Sequence, residues 1–337
     1  MIMNESVNIF DIAKLTGVST STVSRVLNGH PEVSQKTRLR VQQAISEHRY
    51  IPNNSARSLS RISTDAIVVV VSGVTNPFFS RMISIIQAEL EKRHYTMILQ
   101  DYDPGSDTDI VDLAVSLYKE KRPRGLMFLG GNFESGHRRL RQLNIPVMLA
   151  TTTILAETDR SWFSSITIDD EREAYNMASY ICRNGHKRIA IIGNHQLRTI
   201  GLDKILREHG YSATEAKIKD EASFSFETGY LAARKLLEIG SYTCVFCFSD
   251  ILAIGAMKAI RDKGLRIPED ISVVGFDGIE AGFYMNPALT TVKQPLEEIA
   301  LHSVKGLINS IESGESYGHI VMPTTMVEGG SFRPFTG

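Results

Sequence analysis

The 337-residue sequence predicts a small all-α helix-turn-helix headpiece followed by a two-lobed α/β domain. Three observations carry that expectation. The first 61 residues hold eight basic side chains against four acids, a net of +4, while the remaining 276 hold 29 against 34, a net of −5. Within that basic head, two short apolar-periodic stretches are joined by Gly17. Beyond it, apolar runs of strand length alternate with helical patterns, and the series runs through twice.

The headpiece elements follow in order. Ile9, Ile12, Ala13 and Thr16 mark one side of a helix over 9–16, and Gly17 supplies a turn where a positive φ is easy. Ser19 is a good N-cap for a second helix over 19–28. Val23, Val26 and Leu27 repeat at i, i+3, i+4 and form its apolar stripe, leaving Thr20, Ser21, Ser24 and Arg25 on other faces. Asn28-Gly29 stops it. Ser34 opens a third helix to about 48, with Val41, Ala44 and Ile45 inward and Lys36, Arg38 and Arg40 outward. A second helix of this kind suits a major groove. Its hydroxyls donate or accept at base edges or phosphates, and Arg25 can make a two-pronged contact to guanine O6/N7. The same polar face also fits an ordinary small bundle.

The body begins with AIVVVVS over 66–72, a continuous β-branched run that reads as a strand buried on both faces. A helix over about 77–93 follows, then strand 96–100, helix 107–121, strand 125–129, helix 134–142 and strand 147–150. The second series reads strand 165–168, helix 171–184, strand 188–192, helices near 199–209 and 226–239, strand 244–248, helix 251–263 and strand 271–275. A helix near 295–313 and strands near 319–328 close the chain. Such alternation gives parallel sheets with helices on both faces, and ligands bind beyond the carboxyl ends of their strands.

Composition removes other classes. With 42 % hydrophobic and 22 % charged residues, the chain is neither disordered, collagen-like nor a disulfide scaffold. MIMNESVNIF lacks the pattern of a signal peptide, and no run of 18 apolar residues suggests a membrane span. Three cysteines fit a reducing cytoplasm, which is the expected location. Cys244 and Cys247 form a CxxC inside a predicted strand, so they point to opposite faces and read as two packed thiols. No HExxH, Walker loop, GxSxG or paired acid–base set is found. No metal, cofactor, catalytic residue or enzyme activity is expected.

From Val7 to Leu59 the sequence resembles the DNA-binding head of the LacI/GalR family of bacterial transcription regulators, through DIAKLTGVS, TVSRVLNG, VSQKTR and YIPN…A..L. The resemblance implies a headpiece over 1–52, a hinge helix over 53–61 and an effector-binding and dimerisation domain over 62–337. It places Thr20 and Ser21 at the variable specificity positions and Arg25 at a base-contacting position. Thr22, Ser24, Asn28, Thr37 and Tyr50 fall at positions that support backbone contact or orientation. Asn53 and Ala56 lie in the hinge helix, and Leu59 holds the place of a leucine that enters the minor groove. An apolar wedge there unstacks a base step and bends the duplex.

GVTNPFF, RNGHKRIAIIG, FSDILAIGAM, PEDISVVGFDG and ALTTVKQP carry the resemblance through the body, which is similar to periplasmic sugar-binding proteins. It implies three crossings between lobes, near 162–164, 290–293 and 323–325. The N-lobe is then about 62–162 with 293–323, and the C-lobe about 164–290 with 325–337. Strand ends and family positions together nominate Asn76, Phe78, Phe79, Thr151, Arg198, Phe224, Ser249, Asp250, Asp277 and Gln294 as effector-binding residues. Carboxylates and a guanidinium suit hydroxyl pairs, and an aromatic packs on a sugar's apolar face. Each has a second reading: Asp250 and Asp277 as helix N-caps, Phe78 and Phe79 as core, Arg198 as a lobe–lobe salt bridge.

Two departures stand out. Thr151 occupies a position where members often carry a sugar-binding aspartate. The loop before Arg198 is only Asn194-His195-Gln196-Leu197, with His195 either a solvated loop residue or a substitute ligand contact. No leucine heptads follow the last helix, so a homodimer reading a pseudo-palindromic double-stranded operator is expected, gated by a sugar-like small molecule. A solute-binding protein on the same two lobes, or a regulator answering to a protein corepressor, are the other readings.

Overall fold

The computed structural model describes residues 9–27, 32–48, 65–103, 105, 108–131, 137–152, 158–210, 217–218 and 224–336. The chain divides into two compact units, Met1–Ser63 and Thr64–Gly337.

In the first unit, α1 (Ile9–Thr16), α2 (Thr20–Leu27) and α3 (Gln35–Glu47) close around Ile12, Ala13, Val23, Val26 and Val41. Gly17 turns the chain with φ +61°, where a Cβ would be strained. Ser19 Oγ accepts from the Thr22 N–H at 3.2 Å, and Ser34 Oγ from the Thr37 N–H at 3.3 Å, so both serines satisfy first-turn donors. Asn28 and the expected hinge helix lie outside the described residues.

The second unit holds two six-stranded sheets. The first contains β1 (Ala66–Ser72), β2 (Thr96–Tyr102), β3 (Gly125–Leu129), β4 (Val147–Ala150), β5 (Ser164–Thr167) and β11 (His319–Val321), in the order β11-β5-β4-β3-β1-β2. Its described pairings are all parallel. The alternation along β1 shows why it reads as a continuous apolar run. Ile67, Val69 and Val71 pack with Phe78, Met82 and Ile86 of α4 (Pro77–Lys92). Val68 and Val70 pack with Ile110, Val111 and Ala114 of α5 (Ile110–Lys121). Both faces are covered, so Ala66–Val71 are apolar and buried, and the polar Ser72 stands only at the half-buried end of the strand. A short α6 (His137–Arg141) completes the helices ahead of β4.

The second sheet contains β6 (Ile189–Ile192), β7 (Lys217–Ile218), β8 (Cys244–Cys247), β9 (Ser272–Asp277), β10 (Thr290–Lys293) and β12 (Thr325–Val327), in the order β12-β10-β9-β8-β6-β7. Only β12 runs antiparallel to its described neighbour. The helices are α7 (Asp170–Arg183), α8 (Gln196–Glu208), α9 (Phe226–Ile239), α10 (Asp250–Asp262), α11 (Glu280–Phe283) and α12 (Leu296–Ser313). Cys244 and Cys247 pack into different hydrophobic clusters, as residues three apart on a strand must. Close helix pairing of α9 on α10 depends on Gly229 and Gly255. A Cβ on either would lie 2.2 Å and 2.1 Å from the carbonyl oxygens of Leu252 and Phe226.

Two of the three crossings between sheets differ from expectation. β5, read as opening the second series, pairs with β4 and belongs to the first sheet, so the chain crosses after Thr167 rather than near 162–164. Residues 290–293, read as a crossing, form β10 beside β9, and the second crossing follows Lys293. The third lies between Val321 and Thr325. Periodicity identifies a strand but not its sheet, and the missing information is the hydrogen-bond partner.

Candidate functional site

The headpiece offers a polar helix face. On α2, Ser21 and Arg25 are exposed and four residues apart, so they share one side of the helix. Thr20 and Ser24, also four apart, are half-buried beside them. Ser19 Oγ bonds the hydroxyls of Ser21 and Thr22, each at 2.8 Å. Thr37 Oγ1 meets Ser34 Oγ at 2.9 Å at the start of α3. The apolar stripe of α2 faces the core, so its hydroxyls and one guanidinium lie on the other faces. Tyr50, Asn53, Ala56 and Leu59 lie outside the described residues.

In the second unit, a buried polar network gathers beyond the carboxyl ends of the second sheet's strands. Arg198, 7 % exposed, enters it from the first turn of α8. Its Nε donates to Asp170 Oδ1 at 2.8 Å, and its Nη1 donates to the Phe248 carbonyl and to Asp277 Oδ1, the latter at 3.5 Å. Its guanidinium carbon sits 3.6 Å from the centroid of Phe276. Asp277 also accepts from Ser249 Oγ at 2.6 Å and from Gln294 Nε2 at 2.8 Å. Its φ of +116° turns the chain sharply out of β9. Burial raises the Asp277 pKa above the usual carboxylate value, while Arg198, Ser249 and Gln294 pull it down.

Arg198, Ser249, Asp277 and Gln294 are thus brought together, and three neighbours that the sequence did not nominate join them. Asp170 follows β5 at the start of α7, so the strand-end rule applied there would have found it. Phe276 and Phe248 belong to runs that read as plain core. His195 is not a solvated loop residue: it caps α8, its Nδ1 accepting from the Arg198 N–H at 3.4 Å. Its Nε2 lies 3.8 Å from Asp170 Oδ1. Burial pushes the His195 pKa down to about 4, against the opposing pull of Asp170, so the ring is neutral at pH 7.

Asp250 takes neither of the roles read from the sequence. It is fully enclosed, its Oδ2 accepting from the Ile279 N–H at 2.8 Å and its Oδ1 from Thr291 Oγ1 at 2.6 Å. It fastens the turn after Asp277 to β10 and leaves no oxygen for a ligand. Burial, reinforced by the Asp277 charge, holds its carboxyl well above the usual range. Asp277 does not cap α11 either, since Ile279 stands at that cap.

The remaining nominees sit at strand ends of the first sheet or beside the second. Asn76 caps α4, its Oδ1 accepting from the Phe78 N–H at 3.0 Å. Phe78 is 3 % exposed and packs in the core, edge-on to Phe79 with centroids 5.3 Å apart. Phe79 is half-buried against Gly130, where a Cβ would lie 2.6 Å from its ring. Thr151 has φ +53° and turns its hydroxyl onto the Ala150 carbonyl at 2.7 Å. Phe224 is half-buried and packs against two core clusters, one of which also takes in residues of the first sheet. Phe78 and Gln294 share the wall of a groove of about 1330 Å³ that also takes in Arg81, Lys293, Glu297 and Tyr284. Among the described residues no set of histidine, cysteine and acidic side chains could hold a metal, and no helix is long and apolar enough to cross a membrane.

Comparison with known proteins agrees with both halves. Residues 8–53 match the family model for bacterial regulatory proteins, lacI family, and residues 178–332 match a periplasmic binding protein-like domain. The chain is 40 % identical to the HTH-type transcriptional regulator MalR of Clostridium butyricum, over 95 % of this chain and 98 % of that one. It is 32 % identical to the ribose operon repressor of Haemophilus influenzae, over 94 % and 96 %. Among solved structures, the lac repressor dimer bound to operator and the anti-inducer ONPF superposes with a TM-score of 0.71 at 26 % identity, covering 97 % of this chain and 99 % of that one.

Proposed function

The chain belongs to the lacI family of bacterial regulatory proteins and is a DNA-binding transcription regulator, and from that premise we propose that a sugar-like molecule bound between its two lobes sets its grip on an operator. The observation that carries the effector reading is the Arg198–Asp170–Asp277–Gln294 network at the strand ends. Such ends are where open α/β sheets take ligands, and this one offers both fork-shaped donors and carboxylate acceptors. Asn76, Phe79, Thr151 and Phe224 would complete the site from the other strand ends, with Ser249 donating to Asp277 and Asp250 fastening the turn that follows it.

On the DNA, Thr20, Ser21 and Arg25 read base edges, and Thr22, Ser24, Asn28, Thr37 and Tyr50 fix the backbone. In this reading the hinge segment over 53–61 also meets the DNA, through Asn53, Ala56 and Leu59, with Leu59 as the wedge. Two copies read a pseudo-palindrome with half-sites about 10 bp apart. The homodimer reading draws support from β2, an edge strand with one described neighbour and with Leu99 40 % exposed. Ligand-driven lobe closure then decides whether the paired hinges hold the minor groove. We read the chain as a cytoplasmic repressor rather than an enzyme, in keeping with the names of its relatives.

The test is a thermal-shift screen of sugars, sugar phosphates and nucleobases on the full chain, followed by operator binding with and without each hit. A hit that raises the melting temperature and changes operator affinity, with both effects lost in Arg198→Ala, supports the reading. Hits that act equally on Arg198→Ala would place the effector elsewhere. For the hinge, Leu59→Ala should weaken operator binding far more than binding to random DNA; equal losses would remove the wedge.

A further inference from the structure

The body is acidic overall, yet one stretch of it is basic. Residues 119–141 hold seven basic side chains against two acids, a net of +5 within a body of net −5. Arg139 pairs with Asp112, Arg141 with Asp159 and Lys121 with Glu120. Lys119, Arg122 and Arg124 are exposed and have no acidic partner among the described residues.

The topology fixes where these three cations stand. They lie between the last turn of α5 and the start of β3, at the amino end of the first sheet. The Arg124 N–H donates to the Ala66 carbonyl at 2.8 Å, so Arg124 stands beside the residue that opens β1. Lys119 and Arg122 line a recess of about 450 Å³ with Tyr118, Pro123 and Ile145. Arg122 has φ +46° and closes α5, its N–H donating to the Tyr118 carbonyl at 2.9 Å. Glycine takes that conformation at less cost, so this position carries an arginine against backbone preference. The negative end of the α5 dipole accounts for cations at 119, 121 and 122, but not for Arg124 beyond Pro123.

We propose that Lys119, Arg122 and Arg124 form a second DNA-backbone surface, on the body rather than the headpiece, that grips phosphates bordering the groove entered by Leu59. This rests on the hinge reading above, and connectivity then limits the distance. Leu59 precedes Ala66 by seven residues. Fully extended, those residues span at most about 25 Å. The amino end of β1, with Arg124 beside it, is therefore tethered within that distance of the duplex. The phosphate backbone is the polyanion inside that reach. Unpaired guanidinium and ammonium groups release its counterions, which adds affinity without base selection.

The probe is a duplex of roughly 40 bp selected by the full chain from a random pool, beside a scrambled duplex of equal length. Fluorescence anisotropy reads affinity between about 50 and 200 mM salt. The triple variant Lys119→Gln/Arg122→Gln/Arg124→Gln binds the selected duplex about tenfold more weakly at the lower salt. Its slope of log affinity against log salt is shallower by about 2 or more, and its base preferences are unchanged. Arg124→Gln alone, which leaves the end of α5 untouched, reproduces part of both changes. The control Arg183→Gln/Lys187→Gln/Arg188→Gln removes the same charge from exposed positions before β6, at the amino end of the second sheet, and keeps the wild-type slope. Urea melts check that each variant is folded. A wild-type slope in the first triple variant overturns the surface and leaves the headpiece reading standing. Equal changes in the two triple variants overturn it as well, because net charge alone would then account for them. Equal losses of Leu59→Ala on selected and scrambled duplexes, or a pool from which nothing is selected, overturn the hinge reading and this surface together.

Discussion

Arg198 sits over Phe276 with its guanidinium carbon 3.6 Å from the ring centroid, and Asp277, the next residue, takes a hydrogen bond from the same side chain. Neighbours on a regular strand face opposite ways. The φ of +116° at Asp277 breaks that alternation and lets two consecutive residues serve one cation. The consequence for stability is direct. Arg198→Met keeps most of the volume but strands Asp170 and Asp277 in a buried site, and should cost about 3–5 kcal/mol in urea denaturation. Adding Asp170→Asn should recover part of that loss. A cost under about 1 kcal/mol would mean that water reaches both carboxylates in the native protein.

Asp250 makes a prediction with a pH signature. Asp250→Ala removes the acceptor for a buried Ile279 N–H and for the Thr291 hydroxyl, and should cost about 2–4 kcal/mol. Asp250→Asn keeps both bonds, because its oxygen accepts from Ile279 and its NH2 donates to Thr291 Oγ1. The Asp250 pKa is raised in the fold from a reference of 3.8. The unfolded chain therefore ionises first as pH rises, so the stability due to the protonated carboxyl is full below about 4 and falls above it. Asp250→Asn should fare progressively better against wild type as urea melts move from pH 5 to pH 8. Parallel curves would show that Asp250 ionises normally in the fold.

His195 acts in the opposite direction. Its pKa is about 4 in the fold against a reference of 6.5. Below pH 6.5 the unfolded chain binds a proton that the native ring refuses, so stability is full above that pH and falls as pH drops towards 4. The loss attributable to this residue is at most about 3 kcal/mol, reduced in proportion to its partial exposure. His195→Asn retains a capping acceptor for the Arg198 N–H and has no titration. Its melting temperature should fall less than that of wild type between pH 7 and pH 5. Identical falls would assign the acid sensitivity to other groups.

Much of this was legible in the sequence. The alternation of AIVVVVS with amphipathic helices gave the layered body, because burial on two faces leaves a continuous apolar run. Ser19, Ser34 and Gly17 marked helix ends through chemistry that is local to a few residues. What stayed hidden was non-local. β5 and β10 read as strands, but the neighbour that assigns each to a sheet lies elsewhere in the chain. Asp250 looked like a ligand or a cap because its partners, Ile279 and Thr291, are 29 and 41 residues away. Asp170 was overlooked because Arg198, the group that gives it meaning, lies 28 residues on.

The proposed recognition helix, α2, gives the last prediction. Ser21 and Arg25 are exposed on one side of α2, while Val23 and Val26 hold the opposite side in the core. Substitutions at the two exposed positions should therefore alter DNA reading without altering the fold. Arg25→Ala should cost about 1–3 kcal/mol on the operator, if it grips a guanine edge, and little on random duplex beyond one phosphate's worth of salt dependence. Ser21→Ala should change which base is preferred at one operator position and leave binding to random DNA intact. Fluorescence anisotropy on operator and scrambled duplexes at two salt concentrations separates these effects. Equal losses on both duplexes with a shallower salt slope would make Arg25 a backbone contact, and base selection would then fall to Thr20 and Ser21 alone.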